Sequence, residues 1–206
     1  MLGRLGFDMV TVSEFCNQLT SCTTDDIVER YLLSGTAVHV SSDTKNIIGK
    51  RLCEKYRVSL GELTLYIVGS AKLGFSLVEK GRNGGLILPR YRQFGPHSDI
   101  DVAVIHDDIF DLVWRELSDY VFNRPFLPWD SGRLGDYLVG GRIRPDHFPK
   151  NVRLQRCDDW WEAVSNLSIE VFSGRRKVRA GLFRSKYVLS KYLGRAVHEC
   201  KNVEES

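Results

Sequence analysis

The stretch that most restricts the fold is SDIDVAVI at residues 98–105. Its β-branched run reads as a strand, and strand side chains alternate between faces. Ile100, Val102 and Val104 then share one face and need a core, while Asp99 and Asp101 share the other. Their Cα atoms lie about 6.6 Å apart at ~3.3 Å per residue. Two carboxylates on one face repel each other, and a cation between them removes the conflict. Carboxylate oxygens at about 2.1 Å from Mg²⁺, with phosphate oxygens completing an octahedron, match such a pair. Two ions about 3.5–4 Å apart would clamp an in-line phosphoryl displacement.

A second piece lies upstream. LTLYIV at 63–68 reads as a strand that ends at Gly69-Ser70 and opens into AKLGFS. Glycine lets a ligand approach the backbone closely, the Ser70 hydroxyl adds a donor, and the first N–H groups of a helix face outward without partners. Lys72, with Arg82, Arg90 and Arg92 further on, is expected to neutralise phosphate charge. Together the two pieces predict a triphosphate site at Gly69, Ser70 and Lys72 and a metal site at Asp99 and Asp101.

The strand–Gly-Ser–helix followed by an Asp-x-Asp strand resembles the nucleotidyltransferase superfamily of the DNA polymerase β type. The matching motifs span residues 68–105, about a fifth of the chain. The resemblance implies transfer of a nucleoside monophosphate from an NTP to an acceptor, with Mg²⁺ (or Mn²⁺) and release of pyrophosphate. It implies Gly69 and Ser70 on the triphosphate, and Asp99 and Asp101 as catalytic metal ligands. GSAKLGFS with SDIDV is also similar to small stand-alone bacterial members, some of whose relatives belong to toxin–antitoxin or phage-defence loci. The chain departs from the family in two places. Ser70 and Asp99 are 29 residues apart, whereas the family gap is about a dozen. The family's third carboxylate also has no clear counterpart, the candidate being Glu170 in LSIEVF, either on a strand beside the pair or on a helix surface. A third acid beside the pair favours an enzyme. A basic residue in its place favours a catalytically silent module of the same fold that binds nucleotide, nucleic acid or a partner protein.

Charge points to an anionic partner. The 206 residues carry 29 Lys and Arg against 26 Asp and Glu, but seven acids cluster at 99–119 and no acid falls between 171 and 198. The basic segments 82–92, 142–156 and 175–195 suit nucleic acid, an RNA 3′ end being the expected acceptor, or alternatively a solvated surface. A protein partner that gates the chemistry is the remaining expectation. Five cysteines, an odd number with no CxxC pair, suit reduced thiols and a cytoplasmic setting. No apolar run reaches the ~20 residues of a spanning helix, so no membrane is expected.

The expected organisation is an N-terminal helical segment over 1–60 and a nucleotidyltransferase-like domain over 61–206, one compact α/β (α+β) unit with helices packed on a small mixed sheet. Helices are expected after Thr23 or Thr24, after Ser41-Ser42, at 110–122, from Asp158 and near the C-terminus, with a strand near KVRAGLF and a loop over 123–146. GRNGG lacks the GxxxxGK[ST] of a P-loop. His97 reads as a substrate contact or a local hydrogen-bonding residue. Trp160-Trp161 read as core packing or a base-stacking pair.

Overall fold

The computed structural model of the chain describes residues 10–81, 85, 87–124, 131–148, 152–173 and 175–204. It is a mixed α/β structure. Helix α1 (Val12–Ser21) starts in a capping box: Thr11 accepts from the Glu14 N–H, and the Glu14 carboxylate accepts from the Thr11 N–H. Thr23 caps α2 (Thr24–Ile27), which widens into a π-helical turn (Val28–Leu33) and ends before Gly35. Ser41 caps α3 (Ser42–Tyr56). Strand β1 (Thr64–Val68) leads into the single turn α4 (Ser70–Leu73). A small hairpin follows, β2 (Lys80–Gly81) with β3 (Ile87–Leu88). Next come β4 (Ile100–Ile105) and α5 (Asp107–Phe122), the latter capped by His106. The rest is α6 (Ser131–Val139), β5 (Arg142–Ile143), α7 (Gln155–Glu170), β6 (Val178–Phe183) and α8 (Lys186–Glu204).

The main sheet has the order β1-β4-β6-β5. Strands β1 and β4 are antiparallel, β4 and β6 parallel, and β6 and β5 antiparallel. One face carries Leu65, Ile67, Ile100, Val102, Val104, Ala180 and Leu182 into a core with α3, α5 and α7. Trp160 of α7 is wholly buried there, and its Nε1–H donates to the Ala180 carbonyl at 3.2 Å. It is therefore a packing residue, not a base-stacking one. The other face is apolar at Tyr66, Val68, Ala103, Ile105 and Phe183, where α1, the π-helical turn and α8 cover it. The open remainder of that face forms the cleft.

Two local expectations fail for physical reasons. The stretch 123–146, read as loop, contains α6 and β5. Its signal is Leu134, Tyr137 and Leu138 at helical spacing, obscured by Gly135 and by Gly140-Gly141. Helix α7 starts three residues before Asp158, with no side chain of its own sequence capping it. Glu116 of α5 does that work instead, accepting from the Arg156 N–H at 2.8 Å. A cap supplied from another helix leaves no mark in the local sequence. The N-terminal helices join both layers, α3 packing on α7 and β1, and α1 on α8. Among the described residues, no helix is long and apolar enough to cross a membrane, and all five cysteines are free thiols.

Candidate functional site

The site forms where β1 ends against β4. Val68 pairs with Asp101 across the antiparallel ladder, so Gly69 emerges beside that carboxylate. Gly69 adopts φ 66° and ψ −150°, a region open essentially to glycine alone. A Cβ there would stand 3.0 Å from Asp101 Oδ2. Glycine is thus required twice, for the turn and for the close approach. Ser70 begins α4, and the turn's backbone bonds start only with the Lys72 N–H, which donates to the Gly69 carbonyl at 3.1 Å. Being one turn long, α4 offers its open N–H groups rather than a long helix dipole.

The two aspartates differ in environment. Asp99 stands one residue before β4, with its Oδ2 2.7 Å from Nε of Arg179 on β6. That Nε is shielded from water, yet its N–H lies off the line to the oxygen, so charge rather than a directed hydrogen bond holds the pair. Asp101 is set deeper. It makes no hydrogen bond or ion pair with any described residue. Burial, and then the charge of Asp99, push its carboxyl above the ordinary range, and Arg144, Arg179 and Lys80 pull it partly back. Asp101 and Arg179 are register partners on adjacent parallel strands. Beside the aspartate pair stands a guanidinium, and among the described residues no third acid joins the pair.

The structure separates the remaining candidates. Gly69, Ser70, Asp99 and Asp101 line one cleft of about 680 Å³. Lys72 does not join them. Its Nζ donates to the carbonyls of Ser34, Gly35 and Thr36, the last two at 3.0 and 3.1 Å. Burial, and then Lys45, lower its pKa. The ammonium is committed to carbonyls that leave the π-helical turn, not to the cleft. Glu170 ends α7 on the far side of the sheet and pairs with Nε of Arg51 at 2.9 Å. It belongs to a half-exposed surface pair, and LSIEVF is helix to that point. Arg82 and Lys150 of the basic segments lie outside the described residues.

Sequence reasoning missed how the cleft is walled. Arg142 from β5, Arg144 just beyond it and Arg195 from α8 line it, together with Arg92, His97 and the acid Glu199 of α8. The Arg142 guanidinium lies 4.8 Å from the ring centre of Tyr137 and 4.6 Å from that of Tyr192, held between α6 and α8. The charge of 142–156 and 175–195 was visible in the sequence. Its convergence on one cleft depends on β5 lying antiparallel to β6, a long-range pairing with no local signal.

The loop that carries Asp99 is pinned. His39 stacks on Phe94 with ring centres 4.2 Å apart, and the Arg176 guanidinium lies 4.4 Å from the same ring. Arg176 Nη1 also donates to the carbonyls of Gly95 and Ser98, at 2.8 and 3.3 Å. The Ile100 N–H donates to the Lys177 carbonyl at 2.8 Å. Asp99 is thereby fixed at its backbone on both sides.

Among the described residues, no group of three or more His, Cys, Asp and Glu could enclose a metal ion. The donor set of Asp99 and Asp101 suits one hard divalent cation, Mg²⁺ or Mn²⁺, with its other positions filled by ligand oxygens and water. The Asp101 carboxylate, with no hydrogen bond or ion pair to any described residue, is the observation that fits such an ion. Comparison with family models, with curated proteins and with solved structures finds no match to this chain.

Proposed function

We propose that this chain is a nucleotidyltransferase that binds a nucleoside triphosphate in the cleft and transfers its nucleotide to a nucleic acid acceptor, an RNA 3′ end being the favoured one. The observation that carries the reading is Asp101: a half-buried carboxylate with no hydrogen bond or ion pair to any described residue, 3.0 Å from where a Cβ on Gly69 would stand. A carboxylate that its cationic neighbours compensate only in part costs folding free energy, and a cation arriving with a ligand would offset it. Gly69 lets the phosphates approach the backbone, and Ser70 supplies N–H and hydroxyl donors. Asp99 and Asp101 hold the divalent cation, which when bound neutralises phosphate charge and polarises the reacting phosphorus. Arg142, Arg144 and Arg195 give the cleft wall the positive charge that a polyanionic acceptor needs.

A second reading is favoured by one specific observation. Arg179 occupies the place beside the aspartate pair where a third acid would serve the enzyme. On that reading the module is silent and only binds nucleotide or a partner. One experiment separates the two. Purified protein is incubated with Mg²⁺ or Mn²⁺, each α-³²P-labelled NTP in turn, and total cellular RNA. Label entering RNA, and lost with Asp99→Ala/Asp101→Ala, supports transfer. Label that binds but never transfers, with any NTP, overturns the enzyme in favour of the silent module.

A further inference from the structure

We propose that Arg179 gates the cation site: it holds Asp99 while the cleft is empty and moves onto the phosphates when a nucleoside triphosphate enters, so that the divalent cation is taken up with the nucleotide and not before it. The inference rests on the triphosphate-binding reading above and adds an order of binding and a residue that imposes it.

The charge arithmetic is local. Asp99, Asp101 and Arg179 together carry two negative charges and one positive. A cation arriving alone meets a guanidinium 2.7 Å from one of its two carboxylates. Only Asp101 remains to attract it, and a single carboxylate is a weak ligand set for an ion that gives up its water reluctantly. A triphosphate changes the balance. Guanidinium binds phosphate oxygens in a bidentate, charge-assisted manner, more strongly than it holds a carboxylate through a misaligned N–H. Once Arg179 turns to phosphate, Asp99 is released and both carboxylates face the cation.

The arginine is the member of the pair free to move. Ile100, next to Asp99, is wholly buried and bonded to Lys177, and the preceding loop is clamped by Arg176 through Phe94, Gly95 and Ser98. Arg179 has a long side chain, is partly exposed at the cleft wall, and lacks an aligned hydrogen bond at Nε. Beside it, Gly181 shares its face and carries no side chain, with the Phe183 ring 3.2 Å from where a Cβ would stand. Turning away costs Arg179 its close pairing with Asp99 and part of its attraction to Asp101, but no directed bond.

The test uses the full chain, Mn²⁺ followed by electron paramagnetic resonance, and a non-hydrolysable triphosphate followed by calorimetry in EDTA. For Arg179→Gln, Mn²⁺ alone should bind at least tenfold more tightly than to the wild type, while the metal-free analogue binds more weakly. Unchanged or weaker Mn²⁺ binding in Arg179→Gln overturns the gate. Should that variant not fold, as judged by circular dichroism, Asp99→Asn decides instead. It frees Arg179, so metal-free analogue should bind several-fold more tightly than to the wild type, and more tightly than to Asp101→Asn, which removes the same charge but leaves the Asp99–Arg179 pair. Equal gains in the two asparagine variants also overturn the gate. Wild type that binds neither Mn²⁺ with the analogue nor the analogue alone refutes the triphosphate site itself. Wild type that binds both, with Arg179→Gln unaltered toward Mn²⁺, refutes the gate alone.

Discussion

Replacing Gly69 by alanine tests the site at its narrowest point. Two costs combine. The backbone at φ 66° and ψ −150° is one that an alanine adopts only with strain of about 1–3 kcal/mol. The new Cβ would also stand 3.0 Å from Asp101 Oδ2, so the carboxylate must shift by a few tenths of an ångström. The expected loss of stability is about 3 kcal/mol, which at roughly 2–4 °C per kcal/mol lowers Tm by ~6–12 °C. Two further glycines separate the contributions. Gly35 has φ +70° but open space around it, so Gly35→Ala reports backbone strain alone, about 1–2 kcal/mol. Gly95 has neither a positive φ nor a near neighbour, so Gly95→Ala should be neutral or stabilise by up to ~1 kcal/mol through the unfolded chain. Urea unfolding of the three variants gives the order directly. A Gly69→Ala loss no larger than that of Gly35→Ala would refute the carboxylate contact. Unaltered triphosphate affinity in folded Gly69→Ala would refute the close approach assigned to this turn, for which at least a tenfold weakening is expected.

Two other predictions follow from groups beside the cleft. Lys72→Met removes the shared donor of three carbonyls on exposed residues, each bond contributing ~0.5–1.5 kcal/mol. Urea unfolding should show a loss of about 1–3 kcal/mol, while calorimetry of the folded variant finds triphosphate affinity within about twofold of wild type. The His39 imidazole is held below its ordinary range by burial and then by Arg176, so the unfolded chain binds more protons in the window just below 6.5. Stability should therefore fall as pH drops below that value, and His39→Phe, which keeps the stack on Phe94, should lose this part of the pH dependence in unfolding curves taken from pH 5 to 7.5.

Periodicity made the strands of the site legible. LTLYIV and IDVAVI became β1 and β4 nearly residue for residue, because each is a short β-branched run closed by turn residues. Gly69, Ser70, Asp99 and Asp101 meet in one cleft for the same reason: they sit at the ends of two strands that pair. What lay beyond the sequence depended on partners distant along the chain. The spacing that put Lys72 near the phosphates also allowed it to turn under the sheet, and only the π-helical turn at 28–33 decides between the two. Arg179 was one of eight cations in an acid-free stretch, and nothing local distinguished it. The parallel register of β6 on β4 selects it.

The Lys72 anchor also bears on where the chain can be cut. The expected boundary near residue 60 leaves β1, β4 and β6 together in the C-terminal piece, with both aspartates and the glycine turn. Yet that piece would retain the Lys72 ammonium and lose the carbonyls of residues 34–36 that receive its protons. It would also expose the faces of β1 and α7 against which α3 packs. A fragment over 61–206 therefore carries an orphaned cation next to its Gly69-Ser70 turn. The smallest autonomous unit has to include residues 38 and 39, whose N–H groups bond to the carbonyls of Lys72 and Ala71. Trimming the N-terminal helices would remove Leu32 from the cleft lining and act on the rest of the cleft from below.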